Sequence, residues 1–381
     1  MRRILFDDDH KAFRDSVRTF LAKEVVPHAD EWNAAGIVPR ELFTKAGELG
    51  LFAAVPERFG GAGVDDFRYN VVVAEEAAAV GVCSIMLGPL LQADICMPYF
   101  LGLADQAQRE RWLPGIASGE LITAVAMTEP GTGSDLSGIR TTAVRSGDHY
   151  VVNGAKTFIT NGINADLVIT AVRTGEHPHR GLSLLVVERD TPGFERGRKL
   201  DKVGLDAQDT AELSFTDARV PVANLLGAEG AGFAGLTRNL SQERLSCSVA
   251  AVAQSAAAFA WTVEYVRSRK AFGTPIGAFQ NTRFRLAELA TEIDIAQQYA
   301  DRCVAEHVKG EFTAVDAAKA KWWTTELQGR VMDTCLQLHG GYGYMREYPI
   351  ARAWMDARIS RIFAGTTEIM KEIIGRSLEL A

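Results

Sequence analysis

Four stretches of the 381-residue chain concentrate residue types that can hold an anionic or aromatic ligand. The first is Ala126-Met-Thr-Glu-Pro-Gly-Thr-Gly-Ser-Asp-Leu-Ser-Gly138. Gly131 and Gly133 let backbone come close to a ligand, and Thr128, Thr132 and Ser134 add hydroxyl donors. Successive free N–H groups in such a loop can hold a phosphate or a flavin edge. Standing alone, a loop of this kind is ordinarily only a turn. The second stretch, Gln337-Leu-His-Gly-Gly-Tyr-Gly-Tyr-Met-Arg-Glu-Tyr-Pro349, reads by itself as a helix stop and a tight turn. The third, Arg358-Ile-Ser-Arg-Ile-Phe-Ala-Gly-Thr-Thr-Glu368, contains Gly365-Thr366-Thr367, able to start a helix whose first amides face a ligand. The fourth, Arg269-Lys-Ala-Phe-Gly273, is a basic helix end entering a glycine turn, where a solvated pair of cations is the ordinary meaning. No strand–GxGxxG–helix unit surrounds the first loop, so it is not a dinucleotide fingerprint.

The elements that must position these stretches follow from periodicity. Apolar residues recur at helical spacing over 7–24 and 41–51, and 71–87 is apolar all round, as a central helix is. Another short helix is expected over 106–117. Beyond residue 121 the pattern changes. Asn153-Gly154 and Asn161-Gly162 stand between strand-like runs, a hairpin signal, and 167–172 and 182–187 are unbroken apolar runs. Residues 211–216 alternate in period two. The helical period returns over 233–269, 280–308 and 313–338, with a last helix after Gly365. Helices, then strands, then helices make an α+β chain: an N-terminal helical domain (1–120), a middle β domain (121–231) and a C-terminal helical domain (232–381).

Composition narrows the function classes. Apolar residues make up 47% and charged residues 23%, an ordinary globular balance, and a net charge of −7 argues against a nucleic-acid footprint. The five cysteines form no CxxC pair, so no zinc signature is present and none is expected to hold a metal. MRRILFDDDH lacks the apolar core of a signal peptide. Residues 77–93 are interrupted by Gly88-Pro89, and 245–263 are Ala- and Ser-rich with Gln254 inside, so neither is read as a membrane span. A cytoplasmic protein is expected.

In this order and spacing the four segments resemble the acyl-CoA dehydrogenase family over essentially the whole chain. Two signatures carry the resemblance: Met127-Thr-Glu-Pro-Gly-x-Gly-Ser-Asp135, and Gln337-x-x-Gly340-Gly341-x-Gly343-Tyr344 continuing through Glu347, Arg352 and Asp356. The resemblance implies a helical domain, a barrel-like β domain and a four-helix domain, a non-covalent FAD, and a homotetramer built as a dimer of dimers. It implies that Met127, Thr128 and Gly133 meet the flavin, that Ser134 reaches the pyrophosphate and the substrate, and that Phe158 and Thr160 stand beside the ring. Many relatives have Trp where this chain has Phe158. Arg269, Phe272, Gln280, Gln337 and Gly341 match positions that bind the FAD of the neighbouring subunit, and Thr366 and Glu368 match contacts on the chain's own side.

The chemistry so implied removes an α proton from an acyl-CoA thioester, passes the β hydride to flavin N5, and hands electrons to electron-transfer flavoprotein. Many relatives carry the basic Glu immediately before the Gly-Thr of the third segment, where this chain has Ala364. The long-chain and isovaleryl branches keep it instead before an Arg on the helix after the sheet. Here that place is Ser241-Gln-Glu-Arg-Leu245, which makes Glu243 the expected base and Arg244 its neighbour. The Ala364 N–H is expected to polarise the thioester carbonyl, with Arg244 and Gly365 on the substrate. Glu368 is the rival carboxylate, and His339 is expected to be structural. Small apolar residues over 75–97 leave room for an acyl chain. Three alternatives remain at this level: a relative acting on a carrier-protein thioester, one using oxygen, and a non-catalytic FAD-binding subunit.

Overall fold

Helices α1 (Asp8–Phe20), α2 (Ala29–Ala35), α3 (Glu41–Leu49), α4 (Phe67–Ala79), α5 (Cys83–Leu91), α6 (Met97–Leu103) and α7 (Gln106–Ser118) come first. The structure is a computed structural model and describes residues 3–380; Met1, Arg2 and Ala381, at the ends of the expected outer domains, lie outside the described residues. Asp7 caps α1 by accepting the N–H groups of Asp9 and His10, and Gly50 ends α3 at φ 92. The single helix expected over 71–87 is two. Gly81, at φ 76, stops α4 and lets Val82 turn inward.

α5 and α6 are joined by a π turn, Gln92–Cys96. Pro98 explains why it is tolerated. Proline has no N–H to give the carbonyl four residues back, so the Asp94 oxygen is released from the helix ladder. Gln242 fills the vacancy from α8 (Gly232–Ser268), donating to the Asp94 carbonyl at 2.7 Å.

Strands β1 (Thr123–Ala126), β2 (Thr142–Ser146), β3 (His149–Thr160), β4 (Leu167–Arg173), β5 (Leu182–Glu188), β6 (Phe194–Lys199), β7 (Thr210–Pro221) and β8 (Leu225–Leu226) form one mixed sheet. Its order is β6-β7-β3-β2-β4-β5-β8, with β1 parallel on β4. The unbroken apolar runs are β4 and β5, buried on both faces. Leu167, Ile169, Leu184 and Val186 face the core shared with α1–α7. Val168, Val172, Leu185 and Val187 face a second core with Tyr150, Leu213 and Phe215.

Neither Asn-Gly pair is a hairpin turn, and that expectation is corrected. β3 runs straight through Asn153-Gly154 as a bulge against β7. Gly154 has φ 148, and a Cβ there would stand 2.5 Å from the Thr141 hydroxyl. Asn161, at φ 61, ends β3, and its side-chain amide donates to the carbonyls of Gly88 and Thr123. That pair therefore ties the sheet to α5.

After α8 come a small hairpin of β9 (Lys270–Ala271) and β10 (Thr274–Pro275), then α9 (Gln280–Val308), α10 (Ala314–His339), α11 (Pro349–Ala357) and α12 (Thr367–Ser377). The hairpin and α11 were not legible in the periodicity. α8, α9 and α10 share a core of Val252, Leu289, Ala296, Leu327 and Val331. Some of the small residues over 75–97 serve packing between elements. Ala78 packs on Ala253 and Ala257, the Ser84 hydroxyl accepts the Ala207 N–H, and Gly88 lies against Asn161 and Phe43. Cys83–Leu103 and α8 are each long and apolar enough to cross a membrane by length and composition. Both are built into the fold, and they bury Asp94, Glu243 and Arg244.

Candidate active site

Glu243 lies in the fourth turn of α8 and is 3% exposed. The Tyr99 phenol, on α6, donates to its Oε1 at 2.9 Å. Burial drives the carboxyl up from the ordinary glutamate range to about 7, against the phenol's hydrogen bond and the nearby Arg244 charge. Such a group is ionised only in part near neutrality and accepts a proton readily.

The turn at 364–365 is pinned from two helices. Arg244 Nε donates to the Ala364 carbonyl at 3.4 Å, and Lys321 Nζ, from α10, donates to the Gly365 carbonyl at 2.7 Å. Ala364 has φ 53 and Gly365 φ 96. A left-handed alanine costs about 1 kcal/mol, offset here by these buried cations. The Ala364 N–H has no acceptor among the described residues. Thr366 caps α12 by accepting the Ile369 N–H. Glu368 is exposed, and backbone and Thr366 hydrogen bonds in its own turn hold its carboxyl below the usual range. Of the two candidate carboxylates, only Glu243 is buried.

The loop after β1 is held from behind by β3. Lys156 is fully buried and donates to Met127 O at 3.0 Å and to Glu129 Oε1 at 2.9 Å. Burial pulls its ammonium down to about 8, while Glu129 supports the charge. Glu129 also accepts the N–H groups of Arg140 and Thr141, and the Thr157 N–H donates to Thr128 O. With Met127, Thr128 and Glu129 fixed, Gly131, Gly133 and Ser134 stand exposed. A register shift between Lys156 and Ile159 turns Phe158 outward, at φ 61 and 68% exposed. Thr160 is half-buried at the strand end. Hydroxyl donors, open glycine backbone and an exposed ring on one rim suit a planar heterocycle joined to a phosphate.

A second cavity, about 460 Å³, is lined by Tyr265, Arg269, Gln337, Gly341 and Tyr342. The Arg269 guanidinium stands 5.3 Å from the Tyr342 ring centre. His339 also lines this cavity and is held in place from behind. Its Nδ1 pairs with the Cys335 carbonyl, Tyr265 stacks on it at 4.3 Å, and burial keeps its pKa low. Phe272 projects from the β9–β10 hairpin at φ 52 and 98% exposed, and Gln280 is exposed at the start of α9. The structure thus brings Arg269, Gln337 and Gly341 together, but no residue of the 127–135 loop lines their cavity. Tyr99, Lys321, Lys156 and Glu129 were not singled out from the sequence as site residues. Tyr99 lies in an apolar helix, and Lys321 is one of several charged residues on α10, so nothing in their neighbours signals a site role. The Lys156–Glu129 pair is separated by 27 positions, which no local pattern can reveal.

Comparison with known proteins places this arrangement. The N-terminal, middle and C-terminal domain descriptions of acyl-CoA dehydrogenase match residues 7–120, 124–218 and 230–379. The chain is 45% identical over 382 residues to the mitochondrial long-chain specific acyl-CoA dehydrogenase of Sus scrofa, covering 99% of this chain and 88% of that protein. It superposes on the crystal structure of acyl-CoA dehydrogenase from Geobacillus kaustophilus with a TM-score of 0.97, at 52% identity and with all of both chains covered. A glutaryl-CoA dehydrogenase from Mycobacterium smegmatis, solved in complex with FADH2, superposes at 0.91 with 26% identity, over 98% of this chain and 95% of that one. The sheet between two helical segments is that of a thioester-oxidising flavoenzyme. The chain belongs to the acyl-CoA dehydrogenase family, FAD-dependent oxidoreductases that dehydrogenate acyl-CoA.

Proposed function

We propose that this chain converts an acyl-CoA to its trans-2-enoyl-CoA with Glu243 as the base that removes the α proton. The observation that carries the proposal is the environment of that carboxyl. It is buried, hydrogen-bonded once, and raised to about 7 one residue from an arginine that grips the Ala364 turn. Ala364 supplies a left-handed backbone rather than a carboxylate, and its N–H is the donor for the thioester carbonyl as charge develops there. Arg244 and Gly365 shape the substrate side, and Ser134 serves the substrate and the cofactor.

Bound FAD supplies the acceptor for the β hydrogen and its electron pair. Met127, Thr128, Gly133, Ser134, Phe158 and Thr160 hold its ring and pyrophosphate on this reading, with Thr366 and Glu368 beyond. Arg269, Phe272, Gln280, Gln337 and Gly341 complete the site of a second copy of the chain. Phe272, 98% exposed on its hairpin, is free to insert into a partner. The proposed assembly is a homotetramer, a dimer of dimers, with each chain divided into domains 1–120, 121–231 and 232–381. Its electrons pass to electron-transfer flavoprotein, in the cytoplasm. The test is an anaerobic screen of straight and branched acyl-CoAs of increasing length against the holoenzyme. Bleaching of the oxidised flavin absorbance by at least one is expected. Bleaching by none contradicts the reading.

A further inference from the structure

A buried base that has taken a proton must lose it before the next turnover. The groups facing Glu243 are Tyr99 on α6, Cys96 in the π turn, Arg244 and Cys247 on α8, and Lys321 nearby on α10. Burial keeps both thiols protonated, the Arg244 guanidinium stays charged, and Lys321 is turned to the Gly365 carbonyl. Tyr99 is the neighbour that leads elsewhere. It is fully buried, and the Asn239 side chain reaches its phenol. Asn239 lines a cleft of about 600 Å³ whose wall also includes Asn70, Arg238, Gln242 and His307. Glu243 itself does not line this cleft.

The phenol is held rigidly. Gln242 donates to the Asp94 carbonyl that Pro98 releases, the Ser246 hydroxyl donates to the Asp94 carboxylate, and Asn70 donates to it at 2.6 Å. Residues on both sides of Glu243 therefore lock the π turn that precedes Tyr99. We propose that Tyr99 positions the Glu243 carboxylate and, with Asn239, joins it to this cleft, so that the abstracted proton leaves through the cleft. The inference rests on Glu243 being the base. In the exit step the Glu243 carboxyl gives its proton to the Tyr99 oxygen while the Tyr99 O–H gives its own to a water beside Asn239. One proton passes to solvent, Glu243 returns to carboxylate and the phenol ends unchanged.

The test uses the oxidised holoenzyme with a 3-thia-acyl-CoA, whose sulfur cannot release a hydride, in D2O. Two rates are read: appearance of the long-wavelength absorbance of the bound thioester anion, and exchange of the α hydrogens for deuterium by mass spectrometry. Wild type is expected to show both, and Glu243→Gln neither. Tyr99→Phe and Asn239→Leu are expected to lower the ratio of exchange to anion formation about tenfold or more. Asn239→Leu leaves the Tyr99–Glu243 hydrogen bond in place, so a lowered ratio there reports the route rather than the carboxylate's position. If Glu243→Gln abolishes both signals and the other two variants keep the wild-type ratio, the base stands and the exit route is overturned. If Glu243→Gln exchanges like wild type, the base assignment falls and this inference with it.

Discussion

Replacing Glu243 by Gln should make the protein more stable in a pH-dependent way. The carboxyl has a pKa of about 7 in the fold against 4.5 ordinarily. Between those values the folded chain keeps a proton that the unfolded chain has lost. Stability contributed by this group is therefore full below about 4.5, falls as pH rises, and levels off above about 7. The difference amounts to about 3 kcal/mol at pH 8. Glutamine keeps the shape and can still accept from the Tyr99 phenol, but it has no charge to bury. For a chain of this length the gain corresponds to roughly 3–6 °C in melting temperature. The assay is thermal unfolding of both holoenzymes with saturating FAD, at pH 5 and at pH 8. The Gln variant should gain on wild type at pH 8 relative to pH 5. Parallel melting temperatures at the two pH values would show that the carboxyl ionises as easily in the fold as in the unfolded chain, and the reasoning would fail.

Three further outcomes are expected. Lys156→Met leaves Glu129 buried without its cation and should cost about 3–5 kcal/mol, read as a lower urea midpoint at pH 7; an unchanged midpoint removes the pair from the account of the 127–135 loop. Arg269→Ala should lower flavin content and oligomer mass together, measured by absorbance ratio and light scattering, and loss of neither contradicts a cross-subunit site. Gly119→Ala should cost more than 1 kcal/mol, because φ is 77 and a Cβ would meet the Phe43 carbonyl oxygen at 2.1 Å; wild-type stability in denaturant would contradict that packing.

The order of helices, sheet and helices was legible because the apolar period changes where the chain changes layer. The β4 and β5 runs were legible as strands for the same reason, being buried on both faces. The Asn-Gly pairs misled because the same backbone freedom serves a bulge, as at 153–154, or a strand end, as at 161–162, as well as a hairpin. Asn153 faces Asp217, 64 positions away, and that contact is invisible locally. Glu243 was singled out by the Ser241–Leu245 pattern and the alanine at 364 read against the family resemblance, whereas its burial was not visible from the sequence. Tyr99 was not singled out, because its direction depends on the π turn at Pro98 and on Gln242, 148 positions from the Asp94 carbonyl that it caps.

The proposed chemistry turns on the Glu243 carboxylate removing the α proton. The most direct measurement is anaerobic stopped-flow reduction of flavin in wild type and Glu243→Gln by an acyl-CoA that bleaches the wild type. A fall of at least about a hundredfold, with FAD content and thioester binding retained, is the predicted result. Reduction within a few-fold of wild type would contradict it.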